Sequence, residues 1–427
     1  MKNPNILKAR KTGDYINPDG TLSENTGRQG RHNNNAVCIG AAGSGKTNGL
    51  AKQQILAGGG GGSMVISDTK NALYDECAPY LEKMGIRCVK FDYVEPGGSM
   101  HCNSFDALKT TNDVQKMSNC IVYTGVNKEM LNEPFWKNSE AIMLNACLGY
   151  FLEDGRGFKK NFEGLSKLLL TFDAEDISEG NPCDATRIFE LHRDLYKQRT
   201  GRDSWAYEQF SKFIGLAKKT FSCVMMGVLS DLQSFDTYEM REMTRISDID
   251  IKSIADKRTA VFVNVSDTDC SKDAAINIFY TQVMDILCRY ADSLPDKHLP
   301  IPVRFILDDF GSSVKIEGFE KIISNIRSRG ISVLLLLQSI SQLKQGYGAG
   351  YNTILANCGT QYYMGGSDPD TAEYFSLLTN KPVEKILNMP YMTHWLIRRY
   401  GQPKFGKTLL LDSYALDEHE LDGREPE

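Results

Sequence analysis

The sequence predicts an α/β fold with a mostly parallel sheet and one inserted all-α domain. Short apolar runs alternate with helical patterns near the start of the chain, with runs at 36–39, 64–67 and 87–91. The alternation stops between about 107 and 250, where helical patterns dominate, and apolar runs resume from 259. Because strands that alternate with helices indicate βαβ units and a parallel sheet, the middle segment is predicted to interrupt a sheet domain.

The later apolar runs lie at 259–264, 303–307, 331–337 and 361–364. A last pair, at 394–399 and 408–411, is predicted to close the sheet as antiparallel strands. These positions define the predicted domains, which are an N-terminal arm or short lead-in strands at 1–33, a sheet domain at 34–106 and 256–411, an all-α insertion at 107–255 and an acidic tail at 412–427.

Composition is typical of a soluble globular protein, with 41% hydrophobic and 24% charged residues among 427. No stretch approaches the roughly 20 apolar residues of a membrane span. Eleven scattered cysteines without CxxC spacing predict free thiols in a reducing compartment rather than a disulfide framework or a zinc site. The last 17 residues carry seven acids and one arginine, so the net charge of −5 does not decide for or against a DNA partner.

The segment at 40–47, Gly-Ala-Ala-Gly-Ser-Gly-Lys-Thr, matches the phosphate-loop pattern G-x-x-x-x-G-K-[ST] in full. Its glycines allow backbone N–H groups to turn toward phosphate oxygens, and the helix that follows adds its positive end. Lys46 is predicted to reach the β- and γ-phosphates, and the Thr47 hydroxyl to bind magnesium. The alternative is a glycine-rich turn with a surface lysine. The predicted nucleotide-binding residues of the loop are Gly40, Gly43, Ser44, Gly45, Lys46 and Thr47.

A phosphate loop requires a carboxylate at the end of another strand to hold the metal. The apolar run at 303–307 ends in Asp308 and Asp309 and supplies one. Asp308 is predicted to coordinate magnesium directly or through water, and Asp309 to orient or deprotonate the attacking water. The alternative is that the two acids simply begin a loop.

Four further polar residues have two open interpretations each. Asp68 ends the second apolar run and either supports the metal ligands or caps a helix. Gln338 follows the run at 331–337 and either senses the γ-phosphate or is a buried, hydrogen-bonded glutamine. Arg327 and Arg329 end a helical stretch, where arginines commonly face solvent. One of them could instead be an arginine finger that acts on a neighbouring subunit.

Several segments of the chain follow one another in an order typical of a known family. They are the phosphate loop, Ser67–Lys70, the helical insertion with Glu133–Trp136, Arg304–Phe310, Ile326–Arg329, Leu337–Leu343 and Asn357–Thr360. Together they resemble the TraG/TraD-like coupling proteins of type IV secretion and bacterial conjugation. The resemblance extends over about residues 34–411, nearly the whole predicted fold.

The resemblance implies a RecA-like P-loop nucleotide-binding domain with an inserted all-α domain, working as a homo-hexameric ring with ATP and Mg²⁺. Such proteins couple ATP hydrolysis to the delivery of DNA, single-stranded or duplex, with an attached relaxase or other protein cargo, to the components of a type IV secretion channel. The resemblance assigns the metal role to Asp308 and the phosphate-loop roles to Lys46 and Thr47. It also assigns the trans-acting arginine to Arg327 and the polar position after the third motif to Gln338.

The chain departs from the family pattern in three places. Asp309 stands where the family usually carries glutamate, which is one methylene longer, and Asp68-Thr-Lys replaces the commoner Asp-Pro-Lys. Membrane helices usual at the family's N-terminus are not seen in the sequence. Either these helices lie outside the sequence, or a separate subunit joins this soluble chain to the cytoplasmic face of the bacterial membrane. Because such helices commonly help the family's proteins to oligomerise, assembly of the ring depends on which alternative holds.

Three functions follow from these features. The first is a DNA-translocating coupling ATPase, whose DNA contacts would include lysines of the insertion, although such lysines more often form a solvated surface. The second is a nucleotide-switched receptor for secreted protein cargo. The third is a duplex-DNA pump of the FtsK/HerA type, which the Glu133–Trp136 segment and the large insertion disfavour. The candidate DNA-contacting lysines are Lys159, Lys160, Lys218 and Lys219.

Overall fold

The computed structural model describes residues 3, 5–23, 33–69, 71–126, 133–311 and 314–411. The predicted acidic tail at 412–427 lies outside these residues. The chain forms two compact units. The sheet unit comprises Met1–Val94, Asp250–Thr268 and Val283–Glu427, and the helical unit comprises Glu95–Ile249 and Asp269–Gln282.

The sheet unit contains, within the described residues, one large sheet of nine strands. In chain order they are β3 (Ala36–Ile39), β4 (Ser63–Asp68), β5 (Arg87–Asp92), β6 (Thr259–Asn264), β7 (Val303–Leu307), β8 (Ile331–Leu337), β9 (Thr360–Tyr363), β10 (Thr393–Arg398) and β11 (Lys404–Lys407). Their spatial order is β11-β10-β9-β3-β8-β7-β4-β6-β5, and every pair from β9 to β5 is parallel. The predicted α/β fold with a mostly parallel sheet is therefore confirmed.

Helices precede and separate these strands along the chain. They are α1 (Asn5–Thr12), α2 (Lys52–Leu56), α3 (Ala72–Lys83), α13 (Phe319–Ile322), α14 (Ile340–Tyr347), α15 (Tyr351–Ala356), α16 (Pro369–Thr379) and α17 (Val383–Leu387). The central strands are buried along nearly their whole length, β8 at all but one of its seven residues. A parallel strand covered on both faces is mostly apolar, which is why these strands are largely apolar runs in the sequence, with the buried Arg304 of β7 an exception.

The N-terminal residues belong to the core of the sheet unit rather than to a separate arm. Helix α1 is followed by β1 (Tyr15–Ile16) and β2 (Leu22–Ser23), which form a small antiparallel hairpin. Ile6, Ala9 and Ile16 are fully buried in the same cluster as residues of β3 and α2. The predicted lead-in strands are therefore present, whereas 24–32 lie outside the described residues.

The last antiparallel pair is shifted from its predicted place. Strand β10 pairs with β9 and β11, both antiparallel, but β11 is Lys404–Lys407 and not 408–411. Residues 408–411 instead pack on the helix that follows the phosphate loop, where Leu409 O accepts a hydrogen bond from Gln53 Nε2 at 3.0 Å. The apolar character of this segment reflects that helix contact and not a strand.

The helical unit contains α4 (Thr111–Tyr123), α5 (Pro134–Leu152), α6 (Phe162–Leu169), α7 (Ala174–Glu179), α8 (Asp184–Thr200), α9 (Trp205–Ser211), α10 (Lys218–Asp231) and α11 (Tyr238–Met243). The first half of α12 (Asp273–Ser293) also belongs to it. Aromatic rings fill its core, and two stacked pairs, Phe162–Phe235 and Phe189–Phe210, have centroids 3.7 and 4.5 Å apart. Within the described ranges, no helix is both long and apolar enough to span a bilayer.

The boundaries of the helical unit differ from the predicted insertion at 107–255. Residues from 95 onward already belong to it, because the Cys102 N–H donates to Met243 O at 2.9 Å. The first half of α12 joins it through Gln282, whose Nε2 donates to Ser104 O at 2.9 Å. Both contacts link residues far apart in the chain, so local sequence patterns do not predict them.

Ser67 fixes the position of the residue that follows β7. The ladder between β4 and β7 ends at Ile66 and Ile306. Beyond it, the Ser67 hydroxyl donates to Asp308 O at 3.0 Å and accepts from the Asp308 N–H at 2.5 Å. Ser67 is fully buried, so its side chain replaces the next rung of the ladder and orients the Asp308 backbone.

Replacing Ser67 by alanine is expected to lower the free energy of unfolding by about 1–3 kcal/mol, because it leaves a buried N–H and a buried carbonyl without their partner. Urea unfolding of the variant and the unaltered chain measures this difference. Ser293→Ala is the matched control, since the exposed Ser293 hydroxyl only donates to Tyr290 O in its own helix. Equal stability of the two variants would contradict the assignment.

Candidate functional site

The phosphate loop joins the end of β3 to the helix that contains α2. Gly43 and Gly45 have φ angles of 76° and 89°, which L-residues rarely adopt. A Cβ atom on Gly45 would also lie only 2.8 Å from Leu410 Cδ2, so glycine is required there twice over. The helix begins with a π-helical turn at Thr47–Ala51, a feature that is frequent at functional sites.

Lys46 is folded over the loop to which it belongs. Its ammonium is buried and donates to Gly40 O at 2.6 Å and to Ala41 O at 3.1 Å. The buried hydroxyl of Ser44 has no hydrogen-bond partner within the described part of the chain. A buried cation that is bonded to neutral carbonyls, beside a hydroxyl and the N-terminus of a helix, fits an anionic ligand.

The structure brings the loop and the predicted metal carboxylate together. The Thr47 hydroxyl donates to Asp308 Oδ2 at 2.6 Å, although the two residues are 261 positions apart. Strand β8 lies between β3 and β7, so the contact crosses one intervening strand. Burial raises the pKa of the Asp308 carboxyl, and the hydrogen bond from Thr47 opposes that rise. A hydroxyl and a carboxylate oxygen at this distance are the ligand types that Mg²⁺ prefers.

Asp309 and Gln338 meet at the ends of the neighbouring strands β7 and β8. Gln338 Nε2 donates to Asp309 Oδ1 at 3.3 Å. Gln338 is exposed, so the alternative of a buried glutamine is wrong. Asp309 has a left-handed backbone with φ of 48°, and its N–H donates to Asp308 Oδ1 at 3.1 Å.

Asp68 is buried and its Oδ2 accepts a hydrogen bond from the Tyr74 N–H at 2.8 Å. Tyr74 lies in the first turn of α3, so this contact satisfies one of the N–H groups that a helix start leaves without a partner. The geometry therefore agrees with the helix-capping interpretation. A supporting role for Asp68 behind the metal ligands remains a prediction.

The two candidate arginines differ in their surroundings. Arg329 forms a bidentate pair with Asp292, in which Nε and Nη2 lie 2.8 and 2.9 Å from the carboxylate oxygens. Arg327 lies in the same 3₁₀-helical turn, Ile326–Arg329, and is exposed. Arg329 is therefore engaged by Asp292, and Arg327 is the more exposed of the two arginines.

The candidate DNA-contacting lysines of the helical unit are partly engaged in ion pairs. Lys159 lies 3.0 Å from Glu163, and Lys218 lies 2.8 Å from Glu175, with all these side chains at least partly exposed. Lys160 is half-buried and Lys219 is exposed. Exposed ion pairs of this kind are typical of a solvated surface.

Two parts of the chain that contact the site residues, Ser67 and the turn before β10, are not predicted by the sequence patterns. The first is Ser67, because its spacing to Asp308 in the sequence does not indicate the two hydrogen bonds between them. The turn before β10 was also missed, although the Tyr391 hydroxyl lies 3.5 Å from Gly43 O. Both contacts join parts of the chain that only the sheet order brings together.

The chain matches known proteins over most of its length. The model of the family described as "Type IV secretory system Conjugative DNA transfer" matches residues 2–382. Protein VirD4 of Rhizobium rhizogenes is 33% identical over 326 residues, which cover 74% of this chain and 45% of VirD4. Conjugal transfer protein TraG of Escherichia coli is 24% identical over 356 residues, covering 79% and 53%. The chain spans about half the length of the curated relatives it matches.

Solved structures give the same result for the fold. The unbound form of the bacterial conjugative coupling protein TrwBdeltaN70 has a TM-score of 0.64 at 18% identity and covers 95% of this chain and 91% of its own. Plasmid coupling protein TrwB in complex with ADP and Mg²⁺ also has a TM-score of 0.64, at 17% identity, with 95% and 93% covered. The predicted RecA-like P-loop fold with a helical insertion is confirmed. Since the family model matches most of the sequence, the chain belongs to the family of type IV secretory system conjugative DNA transfer proteins.

Proposed function

We propose that this chain is an ATP-hydrolysing coupling protein that recruits DNA, with an attached relaxase or other protein cargo, and drives it into a type IV secretion or conjugation channel. The hydrogen bond of 2.6 Å between Thr47 and Asp308 carries the proposal, because it joins a phosphate loop to a carboxylate of a separate strand. Family membership supports a role in conjugative DNA transfer. The ADP and Mg²⁺ bound by TrwB support the choice of ATP and Mg²⁺.

The residues of the loop fit a magnesium nucleotide through their chemistry. The ammonium of Lys46 is expected to exchange its two carbonyl partners for phosphate oxygens, and the backbone N–H groups of 43–47 to bind phosphate as well. Thr47 and Asp308 would hold Mg²⁺ through their oxygens. When bound, Mg²⁺ supplies positive charge against the charge that develops on the phosphates.

Asp309 is proposed to orient the attacking water, and Gln338 to hold the carboxylate of Asp309 in place. The hydrogen bond of 3.3 Å between them supports this assignment. Because phosphoryl transfer requires little covalent chemistry from the protein, positioning of the water and stabilisation of charge provide the catalysis.

Arg327 is proposed to complete the site of the next subunit in a homo-hexameric ring at the cytoplasmic face of the membrane. Its exposure and the engagement of Arg329 by Asp292 support the choice between the two arginines. An arginine finger supplied by a neighbour neutralises charge on the γ-phosphate, so single subunits would be poor ATPases.

A second candidate function is a nucleotide-switched receptor for protein cargo with little DNA pumping. The ion pairs of Lys159 and Lys218 favour it, because they reduce the positive charge that the helical unit offers to DNA. The two functions differ in whether DNA changes the rate of ATP hydrolysis.

Assembly and DNA are both expected to raise the rate of ATP hydrolysis. The ATPase rate per subunit should rise with protein concentration, and single-stranded DNA should raise it further, with less effect at high salt because counterion release weakens DNA binding. Steady-state assays over a concentration series, with and without a single-stranded oligonucleotide, measure both effects. A concentration-dependent rate that DNA leaves unchanged would favour the cargo receptor instead.

Asp309→Asn is expected to slow hydrolysis by about 10²-fold or more, because the variant no longer orients the water through a carboxylate. Its Kd for ATP should stay close to that of the unaltered chain. Asp308→Asn is the matched comparison and should instead weaken Mg²⁺-dependent binding. If Asp309→Asn lost ATP affinity and turnover together, Asp309 would be a metal ligand and not the group that orients water.

Arg327→Ala is expected to reduce hydrolysis by assembled protein by about 10³-fold or more. Arg329→Ala, which removes the pair with Asp292 and a hydrogen bond to Asn325 O, should retain most of the activity. Mixing Arg327→Ala with Asp309→Asn subunits provides a direct test, because each variant supplies the group that the other lacks. Partial activity in the mixture supports action between subunits, and an inactive mixture of assembled subunits contradicts it.

A further inference from the structure

The turn that leads into β10 places an exposed aromatic ring beside the phosphate loop. Tyr391 is 75% exposed, and its hydroxyl lies 3.5 Å from the Gly43 carbonyl oxygen. Single exposed tyrosines are common on protein surfaces and require no explanation by themselves. This ring differs because it adjoins the part of the loop that is expected to bind phosphate.

The backbone of this turn has a conformation that residues other than glycine rarely adopt. Met392 has a φ of 58°, a left-handed value that is unusual for a long side chain. Its carbonyl accepts a hydrogen bond from the Thr408 N–H at 2.8 Å, and the Thr393 hydroxyl donates to Pro390 O at 2.5 Å. Met392 Sδ also lies 3.7 Å from the position of a Cβ on Gly45. The surrounding contacts therefore fix the turn against the loop, as is usual where a strained residue persists.

The order of the strands places this ring opposite the proposed catalytic groups. Strand β3 has β8 on one side and β9 on the other. Asp308 and Gln338 follow β7 and β8, on the first side, whereas Tyr391 precedes β10, which lies beyond β9 on the second side. A nucleotide with its terminal phosphate near Asp308 would extend its base away from that side.

We propose that the ring of Tyr391 stacks on the base of the bound nucleotide. The proposal rests on the proposed ATP site and adds the group that binds the base. An exposed ring gains more from stacking than a buried one, since the base covers apolar surface that water would otherwise contact. The fixed turn lowers the cost of binding, because the ring is already held near the position it takes in the complex.

The test compares a ligand that has a base with one that lacks it. Calorimetric Kd values for ATP and for inorganic tripolyphosphate, both with Mg²⁺, are measured on the unaltered chain and on Tyr391→Ala. The variant is expected to bind ATP about tenfold more weakly, within the range of base–aromatic stacking, and tripolyphosphate unchanged. Tyr391→Phe retains the ring and should retain ATP affinity although it lacks the hydroxyl near Gly43.

Tyr400→Ala is the matched control, because Tyr400 is 88% exposed and follows the opposite end of β10. It should change neither Kd. Unchanged ATP binding by Tyr391→Ala would overturn the proposal, as would equal weakening of ATP and tripolyphosphate, which would assign Tyr391 to the shape of the loop. In both cases the proposed function would stand, whereas an unaltered chain that binds neither ligand would overturn both.

Discussion

The hydrogen bond between the Thr47 hydroxyl and the Asp308 carboxylate is the contact on which the candidate site depends. It exists because β8 separates β3 from β7, so that the carboxyl ends of β3 and β7 lie one strand apart at the same edge of the sheet. A buried carboxylate is costly without partners, and burial does raise the pKa of Asp308. Thr47 and the Asp309 N–H reduce that cost with neutral donors, which leaves the negative charge available to a cation.

The helix that follows the phosphate loop is held by both ends of the described chain. The fully buried Gln53 side chain donates to Gly49 O at 2.7 Å and to Leu409 O at 3.0 Å, and it accepts from Asn3 Nδ2 at 2.7 Å. One amide thus joins an N-terminal residue, the helix and the segment after β11. Since the loop depends on the position of this helix, residues without nucleotide chemistry of their own determine the geometry of the site.

The sequence predicted what depends on local spacing and missed what depends on distant contacts. The central strands were predictable because parallel strands covered on both faces are continuous apolar runs. The phosphate loop was predictable because its spacing is fixed by the loop itself. Strand β11 was not, since an edge strand with two exposed lysines has no apolar signature, while the apolar residues at 408–411 pack on a helix. The two hydrogen bonds between Ser67 and the Asp308 backbone depend on the order of the strands in the sheet, which no local pattern encodes.

The replacement of the family's usual glutamate by Asp309 has a physical counterpart in the backbone. At a φ of 48° aspartate is among the few residues that are tolerated, because its short polar side chain forms local hydrogen bonds. The Gln338 amide then holds the Asp309 carboxylate from the end of the adjacent strand. The shorter side chain and the left-handed backbone therefore belong together. A glutamate at this position would extend its carboxylate by one methylene, so the distance over which the proposed water is oriented depends on the backbone as much as on the residue type.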